Sequence, residues 1–388
     1  MTNNKIYDVI VVGAGSVGTP TAMFLAQKGV DVLVLEKRSS CGQGENKAAI
    51  GGVRATHSDP AKIQTCIQSL EVFSTWEEKY GDDIEWKKGG YCFPVYTHDL
   101  EELLKSFFPI QRKYGLEIQW KNAGEIEELI PGINPDGLRG GTFSTNDGQV
   151  SPLRSSVAFE REAKRQGAVF KYNEPVVSYI IDKGEIQGVI TKKDKYFSKQ
   201  VILATGADAA DHSKLLGIDI PVRPDSHEAG ISAPIKQFLP PLVVDMRPGP
   251  EGKTANFYFG QCKKGQIIFC YTPKNKFYGK NKGNLSEFMP ILASRLISLI
   301  PKFKNLLIRR TWRGLYPMTP DGIPIIDQVK EVKGLILAVG MCGQGFMLGP
   351  GVGKNISSLV VDGSWMLAAE IQKTFSFYRD FSGEEAFK

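Results

Sequence analysis

The stretch Asp8-Val-Ile-Val-Val-Gly13-Ala-Gly15-Ser-Val-Gly18 constrains this chain more than any other. Val9 to Val12 predict a buried strand, Gly13 to Gly18 a tight turn, and Thr19 to Lys28 a helix that opens directly after it. Such a helix aims its unpaired N–H groups at a pyrophosphate. Gly13 turns the chain, Gly15 lets the backbone approach the phosphates, and Gly18 allows helix to pack closely on strand. After Gly29 the run Val30 to Leu35 predicts a second strand. It ends at Glu36, a carboxylate able to accept from both hydroxyls of an adenosine ribose, which favours a 2′-hydroxyl over a 2′-phosphate. A bound dinucleotide follows. The fingerprint alone does not choose between FAD and NAD.

With 388 residues the chain exceeds one ordinary core, so two domains are expected. Hydrophobic residues at 42%, charged residues at 23% and 41 glycines fit a loop-rich α/β protein rather than a bundle or a disordered chain. A net charge of +6 is small for this length, and clusters such as Lys192-Lys193-Asp194-Lys195 and Lys263-Lys264 carry no interleaved aromatic residues. They read as solvated turns, and no nucleic-acid partner is expected. The six cysteines form no CxxC pair and have no histidines at ligand spacing, which argues against a metal site or a disulfide framework. Residues Met1 to Tyr7 are polar and lead straight into the first strand, so a cytoplasmic protein without a signal peptide is expected. The longest apolar stretches, near 335–353, are broken by glycine and proline, and no transmembrane segment is expected.

Ala48-Ala-Ile-Gly51-Gly52-Val53-Arg54 reads as a loop returning toward the nucleotide. Asp59 to Tyr80 has helical period, Tyr91 to Tyr96 reads as a strand, and Asp99 to Tyr114 and Ala123 to Leu129 as surface helices. Pro152 to Gln166 reads as a helix and Ala168 to Tyr172 as a strand. Val176 to Ile181 and Ile186 to Thr191 alternate as a small antiparallel sheet. Gln200-Val-Ile-Leu-Ala204-Thr205-Gly206 is a buried strand ending in small residues, as a sheet needs where it meets a flat ligand. Residues 220–320 are strand-rich and aromatic. The last unit is a strand, Leu335 to Val339, a glycine-rich turn from Gly340 through Gly343, Gln344 and Gly345, and a helix through Leu367.

Together these landmarks resemble the FAD-dependent amine and amino-acid oxidoreductases of the D-amino acid oxidase, sarcosine oxidase and glycine oxidase type. The likeness spans nearly the whole chain and includes Gly51-Gly-Val-Arg54, Ala204-Thr-Gly206, Thr319-Pro-Asp321-Gly-Ile-Pro-Ile-Ile-Asp327 and Gly340 to Gly345. Arg310-Thr-Trp312, Tyr316 and Gly345-Phe346-Met347 resemble most strongly the β-subunit group of dye-linked L-proline dehydrogenase and heteromeric sarcosine oxidases. The resemblance implies an α/β (α+β) fold with a Rossmann-like FAD-binding domain, discontinuous over 1–84, 148–218 and 323–388. A second, substrate domain on an antiparallel sheet would comprise 85–147 and 219–322. It implies FAD contacts at Gly13, Gly15, Ser16, Val17, Gly18, Glu36, Lys37, Gly51, Gly52, Val53, Val176, Ala204, Thr205, Gly206, Gly340, Gly343, Gln344, Gly345, Phe346 and Met347.

The same resemblance puts Arg54 where an arginine pairs with a substrate carboxylate, a task suited to a planar, permanently charged fork. The alternative is an arginine that satisfies loop carbonyls or the cofactor. Tyr316 falls on an active-site tyrosine, with buried packing as its alternative; Tyr258, His57, Tyr271 and Trp312 are further candidates for pocket walls, and His227 is read as structural. Unpaired N–H groups at the start of the helix after Gly345 would stabilise charge at the flavin N1 and C2 carbonyl. Three departures matter. The cysteine that links flavin covalently falls on Gly314, implying dissociable FAD. The lysine that activates dioxygen falls near Ile268, and a second carboxylate-binding lysine falls on Met347.

The implied reaction is hydride transfer from the α-carbon of an amino acid or secondary amine to flavin N5, giving an imine. Electrons then pass to an acceptor other than dioxygen, in a complex whose partner subunits carry FMN or an iron–sulfur centre. Two other readings stay open: a hydroxyl-substrate dehydrogenase of the glycerol-3-phosphate or 2-hydroxy-acid type, and a flavin-bound subunit without turnover.

Overall fold

The computed structural model describes residues 5–249, 252, 256–273 and 276–387. Its centre is a six-stranded sheet in the order Ile325–Gln328, Leu335–Val339, Val201–Leu203, Val9–Val12, Val32–Glu36, Val169–Tyr172. Every neighbouring pair is parallel except the first, where Ile325–Gln328 runs against Leu335–Val339. Val9–Val12, Val32–Glu36 and Leu335–Val339 are buried at every position, as expected of strands covered on both faces. Alternation divides them between two cores. Val9, Val11, Val32 and Val34 pack with the helices Gly18–Gln27, Pro60–Ser74 and Gly345–Asp362, while Ile10, Val12, Leu33 and Leu35 pack with Tyr179, Val189 and Leu216 on the other side.

The predicted pair Val176–Asp182 and Glu185–Thr191 is antiparallel. Lys195–Ser198 and Ile6–Tyr7 extend it to four strands, so Lys195 begins a strand rather than ending a solvated turn. An eight-stranded sheet holds Ile308–Met318, Arg223–Pro234, Gln266–Thr272, Asn256–Gln261, Leu242–Asp245, Tyr91–Val95, Gly140–Ser144 and Ile118–Asn122 in that order. It is antiparallel except where Leu242–Asp245 meets Tyr91–Val95.

Two predicted helices are each divided. Asp59 caps Pro60–Ser74 by accepting from the Lys62 N–H at 2.9 Å, but Ser74 and Thr75 both turn their hydroxyls back to the Glu71 carbonyl, and a separate helix, Trp76–Tyr80, follows. His98–Ser106 stops before Pro109, which lacks the N–H needed to bond the Lys105 carbonyl, and Phe108–Lys113 starts afresh. The strand-rich reading of 220–320 misses the helix Phe288–Leu299, whose buried Phe288, Leu292, Leu296 and Leu299 recur at helical spacing.

Candidate active site

Between the carboxyl ends of the parallel strands and one face of the eight-stranded sheet lies a cavity of about 410 Å³. Gly13 adopts φ +105°, a left-handed conformation that favours glycine, and its backbone leads the chain past the strand ends. A Cβ on Gly15 would meet nothing within 4 Å, whereas one on Gly18 would sit 1.9 Å from the Gly13 carbonyl. Gly15 therefore faces open space and Gly18 serves packing. The helices Gly18–Gln27 and Gly345–Asp362 both begin at the cavity with no side-chain cap. Two helix N-termini thus bring unpaired N–H groups and positive dipole ends to one space.

At one end Glu36 accepts from the Ala14 N–H at 2.9 Å through one oxygen and from the Arg38 N–H at 2.8 Å through the other. Its carboxylate is thereby fixed at the strand end, with lone pairs left over on the cavity side. Around the rim, Asp208 receives Lys37 and Lys280, and Lys280 also reaches Asp211. Glu45 receives Lys282 on one oxygen and the Leu315 N–H, at 2.7 Å, on the other.

The other end is aromatic. The hydroxyls of Tyr258 and Tyr316 lie 2.7 Å apart, and Cys270 Sγ lies 3.7 Å from the Tyr316 oxygen. Burial holds both phenols well above their usual range, so they are neutral donors and acceptors. The His227 ring packs 3.8 Å from the Tyr316 ring, with Nε2 3.1 Å from Asp225 and Nδ1 3.1 Å from the Thr272 hydroxyl. Burial lowers the His227 pKa despite Asp225, leaving the imidazole neutral. Arg54 brings the cation: Nη2 donates to the Phe387 carbonyl at 2.7 Å and Nη1 to the Thr56 carbonyl. The alternative reading of Arg54, that it satisfies loop carbonyls, is met by these two nitrogens, while the residue still lines the cavity.

Twenty of the positions predicted from sequence line this space: Gly13, Gly15, Ser16, Val17, Glu36, Lys37, Gly51, Gly52, Arg54, Val176, Ala204, Thr205, Gly206, Tyr258, Tyr316, Gly343, Gln344, Gly345, Phe346 and Met347. Four do not. Gly18 backs onto Gly13; Val53 pairs with Gly148 and turns its side chain into the core; Gly340 makes a left-handed turn against Thr319. His57 is fully buried between Arg54 and Cys66, held neutral by burial and then by the charges of Arg54 and Lys62. Tyr271 and Trp312 are also off the lining, although Trp312 shares a strand face with Gly314 and Tyr316. Tyr271 alternates with Cys270 and points into the core beneath the sheet, and the Trp312 indole donates to the Ala48 carbonyl at 2.9 Å. Conversely His227, read as structural, is on the wall and does have a positioned partner, Asp225, two residues earlier on the same strand face. Tyr91 and Cys270 join it there, and neither carried a motif that singles it out.

The residues present fit a flavin dinucleotide. Thr205 Oγ1 and Gln344 Oε1 are buried on the lining without a protein partner, and both helix starts are uncapped. The fold and this cavity define a dinucleotide-binding oxidoreductase.

A family model described as "FAD dependent oxidoreductase" (DAO) matches residues 8–359, so the chain belongs to that family, which binds FAD. The crystal structure of L-proline dehydrogenase from P. horikoshii is similar at 30% identity and a TM-score of 0.89, over 96% of this chain and 97% of that one. Sarcosine oxidase subunit beta of Rhizobium meliloti is 24% identical over 98% of this chain and 90% of its own length. Mitochondrial dimethylglycine dehydrogenase of Rattus norvegicus is 22% identical over 92% of this chain, which spans 43% of that protein's length. Among the described residues no helix is long and apolar enough to cross a membrane.

Proposed function

We propose that this protein is an FAD-dependent dehydrogenase of an amino acid or secondary amine of the proline, sarcosine or glycine kind. The observation that carries the reading is Arg54, a cation on the lining of a cavity whose wall nearby is built from Tyr91, Tyr258 and Tyr316. FAD, when bound, supplies the two-electron acceptor for the hydride that leaves the substrate's α-carbon. Arg54 binds the substrate carboxylate through N–H groups not used by Thr56 and Phe387. The Tyr258–Tyr316 pair closes the wall, excludes water and offers a hydroxyl to the substrate. Each carboxylate on the lining is already engaged: Glu36 by backbone N–H groups, Glu45 by Lys282, Glu174 by Lys193 and Asp208 by Lys37 and Lys280. With His227 also neutral, the wall favours the amine in its uncharged, reactive form.

We further assign residues 1–84, 148–218 and 323–388 to the FAD-binding domain and 85–147 and 219–322 to the substrate domain. FAD is held without a covalent bond at position 314, because Gly314 has no side chain to form one. Ile268 is buried off the cavity and brings no cation to it, which supports electron transfer to an acceptor other than dioxygen, and the uncharged Met347 offers a substrate carboxylate no second cation. Likeness to a named oxidase β subunit supports a partner subunit as that acceptor. Six unpaired cysteines support a cytoplasmic location. The test is anaerobic addition of amino acids, N-methyl amino acids, 2-hydroxy acids and glycerol phosphate to the holoenzyme. Bleaching of the flavin by the first two groups is expected; bleaching only by the last two contradicts the reading.

A further inference from the structure

The turn that carries Arg54 is held by a segment 333 residues further along the chain. Ser58 donates to Glu385 Oε1 through its backbone N–H at 3.1 Å and its hydroxyl at 2.9 Å. The other Glu385 oxygen lies 3.7 Å from Lys62 Nζ, and both of these side chains are fully buried. Two residues later the Phe387 carbonyl accepts from Arg54 Nη2 at 2.7 Å and from Gln344 Nε2 at 2.9 Å. Arg54 and Gln344 both line the cavity, and Phe387 does not. The carbonyl therefore grips the two lining residues from behind.

The Phe387 ring fixes that carbonyl in turn. It meets Phe93 and Phe107 edge-on at 5.8 and 5.1 Å, and the Arg54 guanidinium lies 6.0 Å from it. On the opposite flank of the turn, Asp147 accepts from the Ala55 N–H at 3.1 Å and the Thr56 hydroxyl at 3.3 Å. A long guanidinium side chain has many rotamers, and its reach into the cavity depends on which donors are tied down.

We propose that Glu385–Phe387 is a positioning element for Arg54: the Glu385 anchor sets the segment in place and the Phe387 carbonyl aims the guanidinium at the substrate carboxylate. The inference rests on the reading of Arg54 given above. A segment that merely closed the fold would change stability and cofactor content. One that aims Arg54 changes the affinity for carboxylates and leaves the chemical step largely intact.

The test compares FAD-loaded wild type with a deletion of residues 385–388, with Phe387→Ala, and with Arg54→Lys. Acetate binding is read from the perturbed flavin absorption band, and KM and kcat are measured with the amino acid that bleaches the flavin. The deletion is expected to raise the acetate Kd and the KM roughly tenfold, and Phe387→Ala about threefold, with kcat changed by less than about threefold. Arg54→Lys added to the deletion is expected to cost less than it does alone, because both remove one interaction. If the deletion does not fold, Phe387→Ala, which keeps the chain length, decides. Unchanged Kd and KM in Phe387→Ala, with both raised in Arg54→Lys, overturn the inference alone. Unchanged values in Arg54→Lys overturn the reading on which it rests.

Discussion

Tyr258 and Tyr316, 58 residues apart in sequence, share one hydrogen bond of 2.7 Å across the cavity wall. Tyr258 comes from Asn256–Gln261 and Tyr316 from the edge strand Ile308–Met318, so the bond ties two non-adjacent strands of the eight-stranded sheet above the cavity. Removing either hydroxyl leaves the other buried and short of a partner, at a cost of about 1–3 kcal/mol. Tyr258→Phe and Tyr316→Phe are expected to lower kcat/KM by roughly tenfold or more each, and the double variant by less than the product. Steady-state kinetics of the three variants check this; independent effects would show that the pair does not act as a unit.

Gly343 lies beneath the Tyr316 ring. A Cβ there would come within 2.1 Å of two ring atoms, at a backbone φ of +77°. Gly343→Ala is expected to push Tyr316 off its partner and to destabilise the fold by about 1–3 kcal/mol. Thermal unfolding of the holoenzyme and its kcat/KM should both fall. A variant with wild-type Tm and activity would mean that the ring has another place to go.

The rim lysines join segments that lie far apart in the chain. Lys280 holds Asp208 and Asp211, and Lys282 holds Glu45, which also supports the Leu315 N–H. These pairs are partly exposed, so each contributes at most about 1 kcal/mol and is weakened by salt. Lys280→Met with Lys282→Met is expected to speed FAD release a few-fold at low ionic strength, with the difference vanishing near 1 M salt. Fluorescence of released flavin reads it directly. A difference that persists at high salt would point to packing rather than charge.

Burial raises the Asp147 carboxyl to about 6, against the opposing pull of Ser144, the Ala55 N–H and Arg54. A folded pKa above the unfolded one makes the native state bind the extra proton between about pH 4 and 6. The stability this group contributes is present below that window and is lost as pH rises through it. Asp147→Asn, which cannot ionise, should therefore gain in Tm relative to wild type on going from pH 4 to pH 7. A Tm difference independent of pH would contradict the assignment.

Much of the fold was legible because its strands are unusually explicit. Val9–Val12, Val32–Glu36 and Leu335–Val339 are apolar at almost every position, and the glycines between strand and helix leave one geometry. The glycine-rich end of the cavity is lined by the same residues. The aromatic end was harder, because position on a strand does not reveal which face is inward until the register is known. Tyr258 and Tyr271 look alike in sequence, yet one lines the cavity and the other enters the core. His57 and His227 exchanged roles for a related reason. His57 follows Arg54 closely but turns toward Cys66, whereas the spacing Asp225-x-His227 places a partner on the same strand face. No local pattern could reveal the Phe387 carbonyl behind Arg54, since its partners are brought together only by the complete fold.

The central claim is that Arg54 receives a carboxylate from an amine substrate. Rapid-mixing measurement of anaerobic flavin reduction by proline and by pyrrolidine, which differ only in that group, tests it most directly. Fast, saturable reduction by proline, little reduction by pyrrolidine, and loss of the preference in Arg54→Lys are expected. Equal reduction by the two amines, or a preference unchanged in Arg54→Lys, would contradict it.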